Sequence, residues 1–324
     1  MPFDFDAAVQ APFRMQPGLR RLAAGTAHLN PLCAGSRHQR EKLAVLSAFW
    51  PQALLQRDGF DAVPALRALA RHAAAEHPGA FTWDEGTGRA EALRLGTAVD
   101  AEGAIGQTRR GTFGLGDEVA RCLAGLPPHW RLAALLSLAF AEDFALVDAR
   151  DGTIPWLAVA LPSHWAPEEK VGRHFVEVHA PVADSALLLK AAEGLVRLVT
   201  SGEGWERFVW TVSDHPRLHA HPDRLAQPRW TDTPVERAWW RTERQTFIPL
   251  PGVAQAVFTI EVSVQPLADA VAVPGRAAAL HGAIASMSEA VLLYRGLTPV
   301  REPLLAWLAG RAAAPAPATA RRPA

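Results

Sequence analysis

Alternation of polar and apolar residues marks the C-terminal half of the chain. Along residues 256–265, one face carries Val257, Thr259, Glu261 and Ser263, and the other carries Phe258, Ile260, Val262 and Val264. A period of two residues is typical of a β-strand with one face against a core. Residues 246–249 predict an antiparallel partner, joined to it through residues 250–252. Further strands are predicted over residues 156–161, 175–179 and 207–212.

Apolar residues at helical spacing flank this strand-rich region. In residues 62–77, Val63, Leu66 and Leu69 share one stripe, as expected for a helix that covers a core. Residues 132–148 predict a buried helix that ends near Glu142 and Asp143. The full set of predicted helices is 39–57, 62–77, 115–148 with a break at Pro127–Pro128, 185–198, 276–294 and 302–310.

Strands joined by both hairpins and helices predict an α+β fold with a mainly antiparallel sheet. We expect one domain over residues 1–310, with a sheet core at about 156–265 and helices from both ends of the chain over it. Residues 1–35 are expected to be irregular, and residues 78–112 to hold short strands between glycines. Residues 311–324, rich in alanine, proline and arginine, predict a disordered tail.

Charge balance and cysteine usage narrow the classes of partner. The 33 basic and 33 acidic residues cancel, so no overall field attracts nucleic acid or an anionic membrane. No apolar run is long enough to span a bilayer, and the acidic residues near Met1 do not fit a secretory signal. Cys33 and Cys122 fit neither a disulfide framework nor a metal-ligand motif, which favours the reducing cytoplasm.

Residues 161–182 crowd polar and aromatic residues between prolines. Trp165 lies in a Pro-Ser-x-Trp-x-Pro turn, and Lys170 follows it. His179 ends a predicted strand, and the following Pro181 would fix its position. An imidazole so placed is either a structural residue or an axial ligand or catalytic base, with His174 and His164 as rivals.

Two further polar groups are candidates for chemistry. Arg241 and Arg244 flank Glu243, and their planar guanidinium groups could hold haem propionates or an acidic substrate, or form a salt-bridged end of an element. Glu142 and Asp143, if buried, could bind an ammonium group or relay a proton; otherwise they face solvent.

The cluster of His215, His219 and His221 is a third candidate, for a transition metal. The intervening prolines favour a surface loop, and neither a carboxylate nor a cysteine completes a known spacing in the sequence. A Walker loop, a dinucleotide-binding fingerprint and a Gly-x-Ser-x-Gly nucleophile motif are all absent from the sequence.

Taken together, these segments resemble the haem-dependent oxidative N-demethylase family, which includes the haem subunit of bacterial dimethylamine monooxygenase. The resemblance extends over roughly residues 12–300 and keeps the order and spacing of the motifs. The matching segments are Met15–Leu22, Glu142–Asp143, Pro162–Gly172, His179–Val182, Arg241–Thr246, Leu250–Pro251, Phe258–Ile260 and Tyr294–Gly296.

The resemblance implies a PAS-like sheet that holds a b-type haem. It implies O₂-dependent removal of a methyl group from a small methylated amine, with release of formaldehyde. Electrons would come from a separate flavin and iron–sulfur reductase or a ferredoxin-type protein, since this chain has no cysteine set for a cluster.

The resemblance also implies roles for individual residues. His179 would be the proximal iron ligand, and Arg241 and Arg244 would pair with the propionates. Lys170 and Trp165 would complete the cofactor site, and Asp143 or Glu142 would accept a hydrogen bond from the substrate ammonium group.

Two positions depart from the family pattern. Val209 stands where the pattern has asparagine, and Ala183 stands where it has proline. The first change removes a polar group and so bears on substrate choice and turnover. Two alternatives therefore stay open, namely a non-enzymatic PAS-like haem sensor or carrier and a haem-free binding protein.

Overall fold

A seven-stranded antiparallel sheet lies at the centre of the molecule. The computed structural model describes residues 3–179, 183, 186–226, 228–231 and 233–313, and leaves out the side chains of residues 179, 186–189 and 251. The strands are β1 (Arg20–Arg21), β2 (Leu54–Gln56), β3 (Phe81–Asp84), β4 (Arg89–Ala92), β5 (Thr97–Val99), β6 (Ile105–Gln107), β7 (Asp143–Asp148), β8 (Thr153–Ala158), β9 (Trp205–Ser213), β10 (Trp239–Leu250) and β11 (Gln255–Pro266). The large sheet has the order β1-β9-β10-β11-β7-β8-β2, and β3 to β6 form a second, four-stranded sheet.

Helices surround the large sheet, which makes the structure α+β as predicted. In chain order they are α1 (Phe5–Ala8), α2 (Arg37–Ala53), α3 (Val63–Glu76), α4 (Glu118–Ala124), α5 (Arg131–Ala139), α6 (Phe175–His179), α7 (Ala186–Thr200), α8 (Leu267–Ala270), α9 (Arg276–Ala285), α10 (Glu289–Tyr294) and α11 (Arg301–Ala313). Within the described part of the chain, no helix has both the length and the apolar character that a membrane crossing requires.

The predicted antiparallel pair in the C-terminal half is confirmed and is longer than predicted. Strands β10 and β11 pair along their whole lengths, from Trp239 opposite Pro266 to Leu250 opposite Gln255. Because successive side chains of a strand point to opposite sides of a sheet, alternate residues of β10 and β11 lie on the same side along the whole pair.

One face of the sheet packs against α2, α3 and α5. The buried apolar side chains of this layer include Leu46, Leu69, Leu135, Phe144, Leu146 and Trp156. The other face packs in part against α7, through Val147, Val196, Val199, Phe247 and Ala256. The C-terminal helices α9, α10 and α11 form a further core with Trp210 and Trp240 at one end of the sheet.

The helix predicted over residues 115–148 is wrong in its last part. Helix α5 ends at Ala139, and residues 143–148 form β7, in which every residue is buried. A continuous apolar run fits a buried strand as well as a buried helix, because both faces of a central strand are covered.

Two other predicted elements differ from the structure. Residues 175–179 form the short helix α6, whose first turn is capped because Glu177 Oε2 accepts a hydrogen bond from the backbone N–H of His174 at 3.0 Å. The helix predicted over residues 276–294 is two helices, because Ser288 caps a new one by accepting from the N–H of Val291.

Of the predicted tail, residues 311–313 belong to α11 and residues 314–324 lie outside the described part.

Candidate functional site

A cavity of about 790 Å³ lies against the α7 side of the large sheet. This volume lies within the range of cofactor and small-molecule sites, roughly 300–1,000 Å³. Its apolar lining includes Ala145, Val147, Leu157, Val196, Val199, Phe247, Phe258 and Ile260. The N-terminal residues 7–20 line another part of it, together with Tyr294 and Arg295. Two segments that are distant in the sequence therefore enclose the same space.

Alternation along β9 and β10 places polar side chains at this cavity. The strand register sets three pairs directly opposite one another: Arg207 with Gln245, Val209 with Glu243, and Thr211 with Arg241. All six residues line the cavity, as expected for positions that share one face of a sheet. Gln245 Nε2 donates to Glu243 Oε2 at 2.5 Å.

Arg207 presents a guanidinium group that pairs with no carboxylate among the described residues. Its Nε is buried and has no hydrogen-bond partner. Burial lowers the pKa of Arg207, and the nearby Glu243 and Tyr294 act in the opposite direction. A buried cation without a partner is costly, so an anionic group is expected to occupy the space beside it.

Arg295 provides a second incompletely bonded guanidinium group. It donates to the backbone carbonyl of Trp210, but its buried Nε has no hydrogen-bond partner within the described part of the chain. The guanidinium carbon lies 4.8 Å from the ring centroid of Phe13 and 5.0 Å from that of Trp210, within cation–π distance. Burial lowers the pKa of Arg295 to about 10, so the group stays charged at neutral pH.

His164 lines the cavity with both ring nitrogens buried and unbonded among the described residues. Its backbone is in the left-handed region, with φ of 64°, and its N–H donates to the carbonyl of Ala220 at 2.9 Å. Burial, together with Arg229 and Arg241, lowers the pKa of His164 to about 2, which keeps the ring neutral. A neutral imidazole with a free lone pair is able to bind a metal.

Trp165 and Lys170 also line the cavity, as the sequence predicts for a shared site. Lys170 Nζ donates to the carbonyl of Val178 at 3.5 Å, so this amine carries only one long hydrogen bond. Phe175 and Val178 of α6 line the cavity as well, which brings that helix to its edge.

The predicted proximal ligand is the last residue of α6, and the side chain of His179 lies outside the described part. Position 179 follows Phe175 by four residues, the spacing of neighbours on one helix face. The rival His174 does not line the cavity; its Nδ1 accepts from the N–H of Val176 at 3.2 Å. The ligand role of His179 stays a prediction.

Arg241 lines the cavity, but its guanidinium group is almost fully bonded to the protein. It donates to Ser163 Oγ at 2.8 Å and to the carbonyls of Arg217, Pro162 and Leu218 at 2.9, 3.0 and 2.7 Å. Burial lowers the pKa of Arg241 to about 10. These hydrogen bonds connect the loop of residues 162–163 to the loop of residues 217–218. They leave Arg241 few N–H groups with which to bind a propionate.

Arg244 points to the opposite face of the sheet from the cavity. Its Nε forms an ion pair with Glu206 Oε2 at 3.1 Å, and its Nη2 donates to the carbonyl of Ala27 at 2.9 Å. The side chain does not line the cavity. The residues of the Arg241–Thr246 motif are thus divided between two faces.

A comparison with protein families identifies the family of the chain. The model of the family described as haem-dependent oxidative N-demethylase, alpha subunit-like, matches residues 66–305. This chain belongs to that family. The matched range includes α6, α7, the cavity-facing strands β7 to β11, and Arg295, but not the N-terminal segment that lines the cavity.

In this member of the haem-dependent N-demethylase family, Asp143 and Glu142 do not line the cavity. Asp143 Oδ2 accepts from the N–H of Leu161 at 2.6 Å, and its Oδ1 lies 3.2 Å from the Nζ of the fully buried Lys42. Glu142 accepts from the backbone N–H of Asn30 at 3.0 Å and from its side-chain amide at 2.9 Å. Both carboxylates are therefore buried and engaged by the protein.

Glu142, which is fully buried, forms an acidic pair with the partly buried Glu261 behind the cavity. The side-chain amide of Asn30 donates to Glu142 Oε1 and to Glu261 Oε2, each at 2.9 Å. Burial, and then the charge of Glu261, raise the pKa of Glu142 to about 8, and burial raises the pKa of Glu261 as well. The folded protein thus retains a proton that an exposed glutamate would lose.

We expect the contribution of Glu142 to the free energy of unfolding to fall as the pH rises from about 5 to about 8, whereas histidines with a lowered pKa, such as His164 and His215, act in the opposite direction. An acid with a raised pKa in the fold contributes fully below its unfolded pKa, and that contribution is lost as the pH approaches the folded pKa. Glu261→Gln removes the second cause of the raised pKa of Glu142. The fall in the contribution of Glu142 to the free energy of unfolding over this pH range should therefore be about 1 kcal/mol smaller in Glu261→Gln than in wild type. Urea denaturation at several pH values, with the exposed Glu169→Gln as control, measures this difference; parallel curves for wild type and Glu261→Gln would contradict it.

The three candidate histidines do not form one cluster, because His219 and His221 stack with ring centroids 6.1 Å apart whereas His215 lies elsewhere. His221 Nε2 bonds to Glu168 at 3.1 Å and its Nδ1 accepts from the N–H of Asp223, so both ring nitrogens are occupied. His219 Nδ1 contacts the carbonyl of Ala160 at 2.7 Å. His215 lies beside His164 instead, with ring centroids 5.3 Å apart.

Sequence reasoning missed the guanidinium groups of Arg207 and Arg295, whose Nε atoms have no hydrogen-bond partner among the described residues. Both residues lie in segments that the sequence analysis quoted, next to Val209 and Tyr294. Strand alternation offered a signal, because Arg207 precedes the cavity-facing Val209 by two residues and must share its face. No sequence signal distinguishes a free arginine from one that is bonded to carbonyls.

Proposed function

We propose that this protein binds a b-type haem in the cavity and uses it with O₂ to remove a methyl group from a small amine, releasing formaldehyde. The observation that carries the proposal is Arg207, which pairs with no carboxylate among the described residues and lines a large cavity with apolar walls, in a chain of a haem-dependent family. Haem has an apolar ring and two anionic propionates, so it matches both features.

The cavity offers each type of group that a haem needs. Arg207 and Arg295 are the candidates to hold the propionates, and Lys170 lies on the same cavity wall. Arg241 is proposed to act indirectly, because its hydrogen bonds to Ser163 and Pro162 hold the loop that carries His164 and Trp165. Arg244, bonded behind the sheet, would support the strand rather than touch the cofactor.

A single imidazole is proposed as the axial ligand, with His179 first and His164 as the rival. His179 is favoured by its motif position, and His164 by two unbonded ring nitrogens within the cavity. When bound, the haem supplies the O₂ chemistry; the chain supplies the ligand, the dry apolar walls and the charged groups that orient the cofactor.

The proposed function also requires a site for the substrate amine and a source of electrons. Asp143 and Glu142 stay candidates for the substrate ammonium group, although their bonds to Lys42 and Asn30 favour a structural role. With only Cys33 and Cys122, the chain has too few thiolates for a four-cysteine iron–sulfur cluster. Electrons are therefore proposed to come from a separate flavin and iron–sulfur reductase.

The absorption spectrum and formaldehyde release test the proposal together. The purified full-length protein should show a Soret band that shifts on reduction with dithionite and again with carbon monoxide. With dimethylamine, a surrogate reductant and air it should release formaldehyde, and without O₂ it should not. Bound haem without turnover of any methylated amine would indicate a sensor or carrier, and a colourless protein after growth with added haem would indicate a haem-free binding protein.

Substitution of the two candidate histidines should identify the ligand. We expect His179→Ala to shift the Soret band and lower the haem content, while His174→Ala, the matched control outside the cavity, leaves both unchanged. If the spectrum instead changes in His164→Ala and not in His179→Ala, the ligand is His164. Circular dichroism of each variant verifies that the fold is retained.

A further inference from the structure

Three side chains converge away from the cavity, where the segment before α2 meets the end of α3. His72 and Glu76 are one turn apart on α3, and His28 comes from the irregular segment. His28 Nδ1 lies 3.3 Å from Glu76 Oε1, and His72 Nε2 lies 3.6 Å from the same oxygen. The side chains are only 15%, 28% and 16% exposed for His28, His72 and Glu76 respectively.

We propose that His28, His72 and Glu76 form a binding site for a divalent transition metal of the Zn²⁺ type. Two imidazoles and one carboxylate are a common protein ligand set for zinc, with water as the fourth ligand. All three ligand atoms lie within 4.8 Å of one another. The site involves neither the cavity nor haem, and so it is independent of the proposed function.

The separations match those expected between zinc ligands. Zinc binds nitrogen at about 2.0–2.1 Å and oxygen at about 2.0–2.2 Å, so neighbouring ligands of a tetrahedral ion are about 3.4 Å apart. The two measured distances from Glu76 Oε1, 3.3 and 3.6 Å, lie on either side of this value. The third separation, between the two imidazole nitrogens, is at most 4.8 Å.

An unbonded nitrogen at the centre of the group points to a ligand. His72 Nε2 is buried and has no hydrogen-bond partner among the described residues, so its lone pair or proton is unsatisfied. By contrast, in the group of Glu168, His221 and Asp223 both ring nitrogens of the histidine are bonded. We therefore assign the metal to the first group and not to the second.

The charge of Glu76 supports a cation. Burial raises the pKa of Glu76, but the neighbouring His28 and His72 and two backbone N–H groups outweigh it and hold the pKa below the usual range. The N–H groups of His28 and Leu29 donate to the two oxygens at 2.8 and 2.9 Å, which fixes the carboxylate and still leaves lone pairs free. Within the described part of the chain, the ion pairs of Glu76 are with histidines alone.

A metal here would join the segment around residue 28 to α3. That segment also contacts the back of the sheet, since the carbonyl of Ala27 accepts from Arg244 and Asn30 bonds to Glu142. The expected role is structural, in that the ion stabilises the folded state by binding it and not the unfolded chain.

The test uses untagged full-length protein, first treated with a chelator and then dialysed against ZnCl₂. Metal analysis should give one zinc ion per chain, and isothermal titration should give a Kd in the micromolar range or below. His28→Ala and His72→Ala should each weaken binding at least tenfold, while the matched control His221→Ala leaves it unchanged. Zinc should also raise the Tm of wild type and not that of His72→Ala.

The outcomes separate the proposal from its rivals. Absence of zinc from the dialysed wild type, or full retention of zinc by both His28→Ala and His72→Ala, would overturn it. Loss of zinc only in His221→Ala would overturn it as well and would place the metal at Glu168 and Asp223. Should His72→Ala lower the helix content, His72→Gln serves as a second variant with the same two outcomes, because position 72 is partly exposed and accepts a polar side chain.

Discussion

Arg207→Leu should weaken haem binding about 10- to 100-fold, the equivalent of one charge-assisted pair of about 1.5–3 kcal/mol. The same change should make the haem-free protein more stable by about 1 kcal/mol, because it removes a buried charge that forms no ion pair among the described residues. The two effects have opposite signs, which a merely structural arginine would not produce. Haem titration followed at the Soret band and urea denaturation of the haem-free protein measure them.

Arg20→Leu is the matched control for this prediction. Arg20 lines the same cavity, but its guanidinium group already pairs with Asp4 at 2.7 Å and with Glu206 at 3.0 Å. Arg20→Leu removes the same charge as Arg207→Leu, but the N–H groups that it removes are already bonded to carboxylates. Haem affinity should therefore change by less than about threefold. Equal losses of affinity in Arg207→Leu and Arg20→Leu would indicate a general charge effect and contradict the assigned role.

Lys42→Met should lower the free energy of unfolding by about 3–5 kcal/mol, the cost of breaking a buried ion pair. Lys42 is fully buried; its Nζ lies 3.2 Å from Asp143 Oδ1 and donates to the carbonyls of Phe140 and Glu142 at 3.1 and 2.6 Å. Methionine fills a similar volume but leaves Asp143 charged and two carbonyls unbonded. Urea or thermal denaturation measures the loss.

The double variant Lys42→Met/Asp143→Asn identifies the source of this loss. Removal of the stranded carboxylate charge should restore part of the stability, so the double variant should be more stable than Lys42→Met alone. Lys190→Met, at an exposed position of α7, should change stability by no more than about 0.5 kcal/mol. A loss below about 1 kcal/mol in Lys42→Met would show that Asp143 does not depend on this lysine.

The sequence predicted the fold well where a period was long and clear. The alternation of residues 256–265 correctly predicted β11 and its hairpin with β10, and the stripe of Leu66 and Leu69 predicted α3. It failed where a run was apolar on all sides, as in β7, or short, as in α6. In both cases local pattern permits two structures, and tertiary contacts decide between them.

The candidate site was predicted at the level of segments and not of side chains. The motif around Trp165 and Lys170 and the motif around Arg241 do meet at one cavity. Which arginine is free depends on carbonyls supplied by distant loops, such as those of Arg217 and Leu218 around Arg241. Likewise, the burial of Asp143 depends on Lys42, one hundred residues earlier in the chain, a pairing that spacing does not reveal.

The walls of the cavity come from residues 7–20 and from Arg295, with nearly the whole chain between them. A nascent polypeptide therefore lacks an enclosed pocket until translation has passed that arginine and the C-terminal helices have docked. Under the proposed function, haem would therefore enter only after translation, and polypeptides truncated before this point should bind no porphyrin.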